Sequence, residues 1–277
     1  MMNNLNYPLR LSMENLKVTG VQKSKEYLQA QPFPNICLDG IFDEEYLREV
    51  VREFPDLGGP ADISFNNPNE LKLGTLGEER FGPKTMHLIH VMQSEPFLAF
   101  LTNLTGIKGL IPDPYYWGGG LHQIKRGGFL KIHADFNKHP ILGLDRRLNV
   151  LVYLNENWKE SFGGHFELWD RSMKKCEAKL LPIFNRMVIF STTDFSYRGH
   201  PDPLTCPEGQ SRKSIALYYY TNGRPASEVS HLSRITTHFV AREDKDSMKM
   251  QRYNKLVNFA TDVTPPFLIK LYKKWKD

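Results

Sequence analysis

Between about residues 115 and 222 the chain is cut into short runs rich in aromatic and β-branched residues, separated by Gly118-Gly119-Gly120, Gly127-Gly128 and Gly163-Gly164. That punctuation leaves no room for long helices but suits strands of about four to eight residues. The clearest predicted strands are FLKIHAD (129–135), LNVLVYLN (148–155), HFELWD (165–170), RMVIFS (186–191) and RKSIALYYYT (212–221). Short strands at this spacing point to an antiparallel barrel or jelly roll, whose mouth is a natural ligand site.

The flanks read as support for this core. Over PFPNICLDGIFDEEYLREVVREFP (32–55) the pattern predicts a short strand, a turn, and a helix entered at Asp43, with Glu44 and Glu45 where the helix dipole favours acids and Pro55 as its stop. After about residue 245, KMQRYNKLVNFA and, beyond Pro265-Pro266, FLIKLYKKWK read as helices packed outside the core. One domain over 1–277 is expected, with support in 1–114, the β core in 115–225 and a helical extension in 226–277. An apolar fraction of 40% over 277 residues is enough for a core of that size.

Charge and cysteine content exclude some classes of function. The net charge is only +5, and lysines cluster only between Lys270 and Lys276, so no nucleic-acid partner is expected. Cys37, Cys176 and Cys206 are too few and too dispersed for a disulfide framework or a zinc knuckle, which points to a reducing cytoplasm. No stretch approaches the roughly 20 apolar residues of a membrane span, and the N-terminus lacks the pattern of a signal peptide. No feature of the sequence sets an oligomeric state.

The chemistry is concentrated in GGFLKIHADFN. His133 and Asp135 stand two apart on a predicted strand, so both leave the same face. His200, in FSYRGHPD, lies far enough along the chain to return across a barrel. Two histidines and one carboxylate on one side of a metal leave positions open for a chelating substrate and oxygen, as in non-haem iron(II) oxygenases. Zinc stays open on ligand softness alone. An isolated His-x-Asp is weak evidence, but an inward aspartate between apolar neighbours needs a compensating cation. Further on, Arg212 opens a strand whose period of two places Arg212, Ser214, Ala216, Tyr218 and Tyr220 on one face. An inward guanidinium needs an anion, and its planar fork suits a carboxylate.

His133-x-Asp135, His200 and Arg212-x-Ser214 together resemble the 2-oxoglutarate/iron(II) dioxygenase superfamily, with the nearest likeness to its prolyl-4-hydroxylase-like branch. The resemblance runs from about Leu121 to Thr221 and includes RRLNVLVYLNENWKESFGGHFELWD. It implies a mainly β fold with flanking helices around a double-stranded β-helix, a cupin-like jelly roll. Fe(II) would sit on His133, Asp135 and His200, with 2-oxoglutarate as cosubstrate, O2 as oxidant and ascorbate as a stimulant. Arg212 would pair the distal carboxylate of 2-oxoglutarate. Tyr153 falls where hypoxia-factor prolyl hydroxylases place a tyrosine on that carboxylate, Gln123 where they place another cosubstrate contact, and Ser214 matches an arginine-x-serine pattern. The implied reaction is hydroxylation of a C–H bond in a peptide, a sugar or a small metabolite, with release of succinate and CO2. The carboxylate position is filled by Asp135, which speaks against halogenation. A cupin-like sugar-binding or isomerase module without 2-oxoglutarate turnover is the alternative.

Other residues have plainer readings. His165 and Glu167 form a rival His-x-Glu pair, but no arginine-bearing strand follows at a useful distance. His87 and His90 sit among apolar neighbours, and His139 precedes a proline in a loop. Tyr218, Tyr219 and Tyr220 read as strand packing. Lys131 shares the parity of His133 and Asp135 and, with Lys125, Arg126 and Arg198, would make the mouth positive, favouring a polar or anionic substrate.

Overall fold

The computed structural model describes residues 7–228, 234–242 and 245–263. The chain opens with α1 (Met13–Gln29), β1 (Asn35–Asp39), α2 (Glu44–Arg52), β2 (Asp62–Asn67), β3 (Glu70–Thr75), α3 (Pro83–Gln93), α4 (Glu95–Thr105) and β4 (Ile111–Pro112). Its strand-rich zone comprises β5 (Gly120–Lys125), β6 (Phe129–Ala134), β7 (Asp145–Tyr153), β8 (Phe166–Trp169), β9 (Cys176–Leu180), β10 (Arg186–Ser191), β11 (Arg198–His200) and β12 (Ser211–Thr221). Then follow β13 (His238–Phe239) and α5 (Met248–Val263). Helix ends have local causes: Asp43 caps α2 by accepting from the Tyr46 amide, Ser12 caps α1 through the Asn15 amide, and Gly106 ends α4 at φ +74°.

Every strand pairing is antiparallel, along the path β1-β10-β7-β12-β5-β3-β6-β11-β8-β9. β3 joins the two halves: Leu73 and Gly74 pair with Gln123 and His122 of β5, while Glu70 and Leu71 pair with Leu130 and Phe129 of β6. The core is a nearly closed jelly roll, a double-stranded β-helix.

β7 shows why its sequence is apolar almost without a break. Leu148, Val150 and Val152 face the helices, in a core shared with Phe97, Phe100, Leu101 and Leu104 of α4, all four fully buried. Tyr153 faces inward with Phe166, Leu168, Val188 and Phe190. A strand covered on both sides cannot alternate polar and apolar. Each such buried side chain contributes about 1.5–3 kcal/mol over its exposed state.

β7 begins at Asp145, ahead of the predicted start at 148, because Asp145, Arg146 and Arg147 are buried as ion pairs with Lys138, Asp135 and Glu228. The helical layer of α1, α3 and α4 and the β2–β3 hairpin lie outside what periodicity predicts. KMQRYNKLVNFA forms much of α5, which Asn258 docks on β13 by donating to the Phe239 carbonyl at 2.8 Å. The expected helix FLIKLYKKWK lies outside the described residues. Among the described residues no helix is long and apolar enough to cross a membrane.

Candidate metal centre

β6 carries His133 near its end, and Asp135 follows directly after the strand. The His133 ring donates from Nδ1 to the Lys131 carbonyl at 2.8 Å, since a carbonyl can only accept, and this leaves Nε2 bare. That Nε2 lies 3.6 Å from Asp135 Oδ1. β11 pairs with β6 and brings His200 to the same region, where neither of its buried ring nitrogens has a hydrogen-bond partner. Orphaned buried imidazole nitrogens are costly unless a ligand meets them. Burial holds both histidines neutral far below the usual imidazole range, aided by Arg198, Lys72 and Arg146 at His133 and by Arg212, Lys72 and His133 at His200. Neutral imidazoles and a carboxylate make up an iron(II) donor set, and in that chemical sense the residues fit the metal. Among the described residues no group of three His, Cys, Asp or Glu is closed to metal-holding distance. Asp135 Oδ2 is instead drawn into an ion pair with Arg146 at 2.7 Å, a contact with Arg198 and a hydrogen bond from Asn149 Nδ2 at 2.7 Å.

Arg212 lies on the inward face of β12. Its Nε donates to the Gly164 carbonyl at 2.9 Å and its Nη2 to the Tyr153 hydroxyl at 3.2 Å, with the guanidinium 4.8 Å from the Tyr153 ring centre. Burial pushes the arginine's pKa down and the tyrosine's up. Among the described residues no carboxylate forms an ion pair with Arg212, so the internal Arg–Asp or Arg–Glu pairing that could have explained it is not made. Ser214 stands opposite Tyr153 and His122 and shares this face.

Gly164 bears directly on that arginine. At φ +72° it adopts a backbone that L side chains rarely take, and a Cβ there would meet Leu204 Cδ2 at 2.6 Å and Arg212 Cδ at 3.0 Å. Gly164→Ala is therefore expected to displace Arg212 and weaken 2-oxoglutarate binding about 10-fold or more, measured by calorimetry, while metal affinity holds.

Three sequence expectations need correction. Gln123 pairs with Lys213 and Leu73, on the opposite face from Arg212, and its Nε2 donates to Ser211 Oγ at 2.9 Å. His122 takes the inward position, where burial drives its pKa down to about 3. A one-residue difference in register exchanges the two faces of a strand, and only the pairing reveals it. Lys131 does not line the mouth: its Nζ meets Asp246 at 3.1 Å. The register between β6 and β11 shifts between Arg198 and His200, so regular alternation fails in this strand pair. Arg126 likewise donates to the carbonyls of Thr205 and Cys206.

The residues missed by periodicity are Lys72, Arg146, Asn149 and His122. Arg146 and Asn149 lie in a stretch recognisable by motif, RRLNVLVYLN, but nothing local marks them as inward. His165 is tied to Glu160 at 2.6 Å, and Glu167 to Trp169 Nε1 and Lys179, which occupies the rival pair. Both line a cavity of about 100 Å³ that also reaches Gly164 and His200. His139 sits buried in its loop and donates from Nε2 to Asp113 at 3.1 Å. His87 meets the Tyr46 hydroxyl, and the tyrosine run serves packing: Tyr219 faces the helices and Tyr218 lies against Arg146.

Residues 119–220 match the family model described as the 2OG-Fe(II) oxygenase superfamily. No curated protein matches the chain. Among solved structures, a Trichoplax adhaerens prolyl hydroxylase in complex with a hypoxia-inducible-factor oxygen degradation domain peptide is 16% identical, with a TM-score of 0.54 over 75% of this chain and 91% of that one. A Pseudomonas putida prolyl-4-hydroxylase is 14% identical, with a TM-score of 0.53 over 74% and 100%. A prolyl 4-hydroxylase from Phytophthora capsici is 15% identical, with a TM-score of 0.50 over 89% and 78%. At these identities the likeness is one of fold.

Proposed function

We propose that this chain, whose residues 119–220 match the 2OG-Fe(II) oxygenase superfamily model, is a 2-oxoglutarate-dependent dioxygenase, with its iron held by His133, Asp135 and His200 and its cosubstrate by Arg212 and Tyr153. The observation that carries this reading is the pair of orphaned nitrogens on buried His200, which stands on β11 beside the strand that carries His133 with its bare Nε2. Bound iron supplies oxygen activation coupled to oxidative decarboxylation of 2-oxoglutarate, giving succinate and CO2 as a substrate C–H bond is hydroxylated.

The chain's own part is orientation and exclusion of water. Arg212 offers its remaining N–H groups to the distal carboxylate, and the Tyr153 hydroxyl beside it fixes the fork. His133 is held in one tautomer by the Lys131 carbonyl, so its Nε2 lone pair would be free to hold a metal. Phe239 of β13 pairs with His133 and its ring lies 5.4 Å from the imidazole, covering the site from the C-terminal side.

We further propose a substrate with a polar or anionic group. Basic residues act on the centre from several strands: Lys72, Arg146, Arg198 and Arg212 all influence one or both ligand histidines. A polar substrate is also supported by the fold neighbour from Trichoplax adhaerens, which was solved with a bound peptide. Three unpaired cysteines suit a cytoplasmic setting. The test is succinate release from 2-oxoglutarate with Fe(II) and ascorbate, with and without peptides, sugars and small carboxylates. Stimulation by one class identifies the substrate, and absence of 2-oxoglutarate turnover under all conditions refutes the reading.

A further inference from the structure

Asp135, Arg146 and Asn149 meet one another through two hydrogen bonds and one ion pair, the Arg146–Asp135 contact being an ion pair without hydrogen-bond geometry. Arg146 is 1% exposed, and its Nε donates to Asn149 Oδ1 at 2.9 Å while its Nη2 lies 2.7 Å from Asp135 Oδ2. Asn149 donates from Nδ2 to the same Oδ2 at 2.7 Å. The guanidinium cannot turn away, because it lies 3.5 Å from the Tyr218 ring centre and 4.4 Å from that of Phe136. Tyr218 is itself anchored, its hydroxyl donating to the Gly118 carbonyl at 2.6 Å.

The contacts that Arg146 and Asn149 make with Asp135 both fall on one carboxylate oxygen, Oδ2. Oδ1 is left facing His133 Nε2 at 3.6 Å. We propose that Arg146 and Asn149 are positioning residues that lock Asp135 through Oδ2, so that Oδ1 alone is presented to the metal. The proposal rests on Asp135 being a metal ligand.

The physical reason is the count of coordination positions. A carboxylate free to rotate can bind a cation through both oxygens. In a site with two histidines, the second oxygen would take a position that a chelating cosubstrate and oxygen need. A partner fixed on Oδ2 prevents this, and the partners of ligating side chains are known to set ligand orientation and affinity. Arg198 Nη2 also contacts Oδ2, while its Nη1 donates to the Ser196 carbonyl and its guanidinium lies against Phe190, so Arg198 adds to the hold on the same oxygen and leaves Oδ1 free.

Co(II) added to the metal-free full chain serves as the probe, because its ligand-field spectrum reports coordination number independently of turnover. Arg146→Gln and Asn149→Ala are each expected to weaken Co(II) binding about 10- to 100-fold in calorimetry and to change the visible spectrum towards higher coordination. Arg146→Lys should recover little, since an ammonium cannot bridge Asn149 and Asp135 as a planar fork does. Thermal unfolding of the metal-free proteins separates loss of fold from loss of positioning, and Asn149→Ala carries the test if Arg146→Gln does not fold. Wild-type affinity and spectrum in folded Asn149→Ala would overturn the clamp, as would tighter binding in Arg146→Gln, which would show a merely repulsive charge. Asp135→Ala belongs in the same titration: if it binds Co(II) like the wild type, the ligand assignment fails; if it alone loses binding, only the clamp fails.

Discussion

Asp135→Ala is expected to lose iron binding by more than about 100-fold, beyond the range seen when only the partner of a ligand is removed. It should also unfold more easily, because the carboxylate offsets the buried charges of Arg146 and Arg198. Removing one member of a buried charge cluster costs about 3–5 kcal/mol. His200→Ala should behave differently. Its ring nitrogens have no protein partner, so the metal-free variant forfeits no hydrogen bond, yet metal binding is lost to a similar extent. Calorimetric Fe(II) or Mn(II) titration, alongside thermal unfolding of the metal-free proteins, measures both quantities. Turnover of 2-oxoglutarate at the wild-type rate in either variant would contradict the assignment.

Arg212→Ala is expected to raise the Kd for 2-oxoglutarate about 30- to 4,000-fold, since truncating one partner of a buried charge pair costs about 2–5 kcal/mol and each 1.4 kcal/mol is tenfold. Metal affinity should change far less, because Arg212 bonds Gly164 and Tyr153 and acts on His200 only through its charge. Arg212→Lys should recover part of the loss through charge but not the planar fork. Tyr153→Phe should cost about 0.5–1.5 kcal/mol, roughly 3- to 10-fold in Kd, the value of one net hydrogen bond. Calorimetry on the Mn(II)-loaded protein under anaerobic conditions gives these constants directly. Equal 2-oxoglutarate affinity in Arg212→Ala and wild type would mean that another cation, with Lys72 the first to examine, fills this role.

Strand identity in the core was readable because glycine pairs, β-branched runs and aromatic residues are local signals that need no partner. The α2 cap at Asp43 was readable for the same reason. His133, Asp135, His200 and Arg212 were readable as candidates, because a metal and a dicarboxylate demand particular residue types at recognisable spacing. Pairing decided the rest. Gln123 and His122 are adjacent in the chain, and only the register of β5 against β12 sends His122 inward and Gln123 away. Lys131 obeyed the period-two rule on paper, but the register shift opposite β11 and the arrival of Asp246 from a remote segment placed its ammonium in an ion pair. The burial of Arg146 is likewise invisible locally: its charge is tolerated only because Asp135, Asn149, Phe136 and Tyr218 converge on it from separate parts of the chain. Side-chain type, legible residue by residue, dictates which groups could do the chemistry; strand register and contacts between residues far apart in the chain dictate which of them face one another.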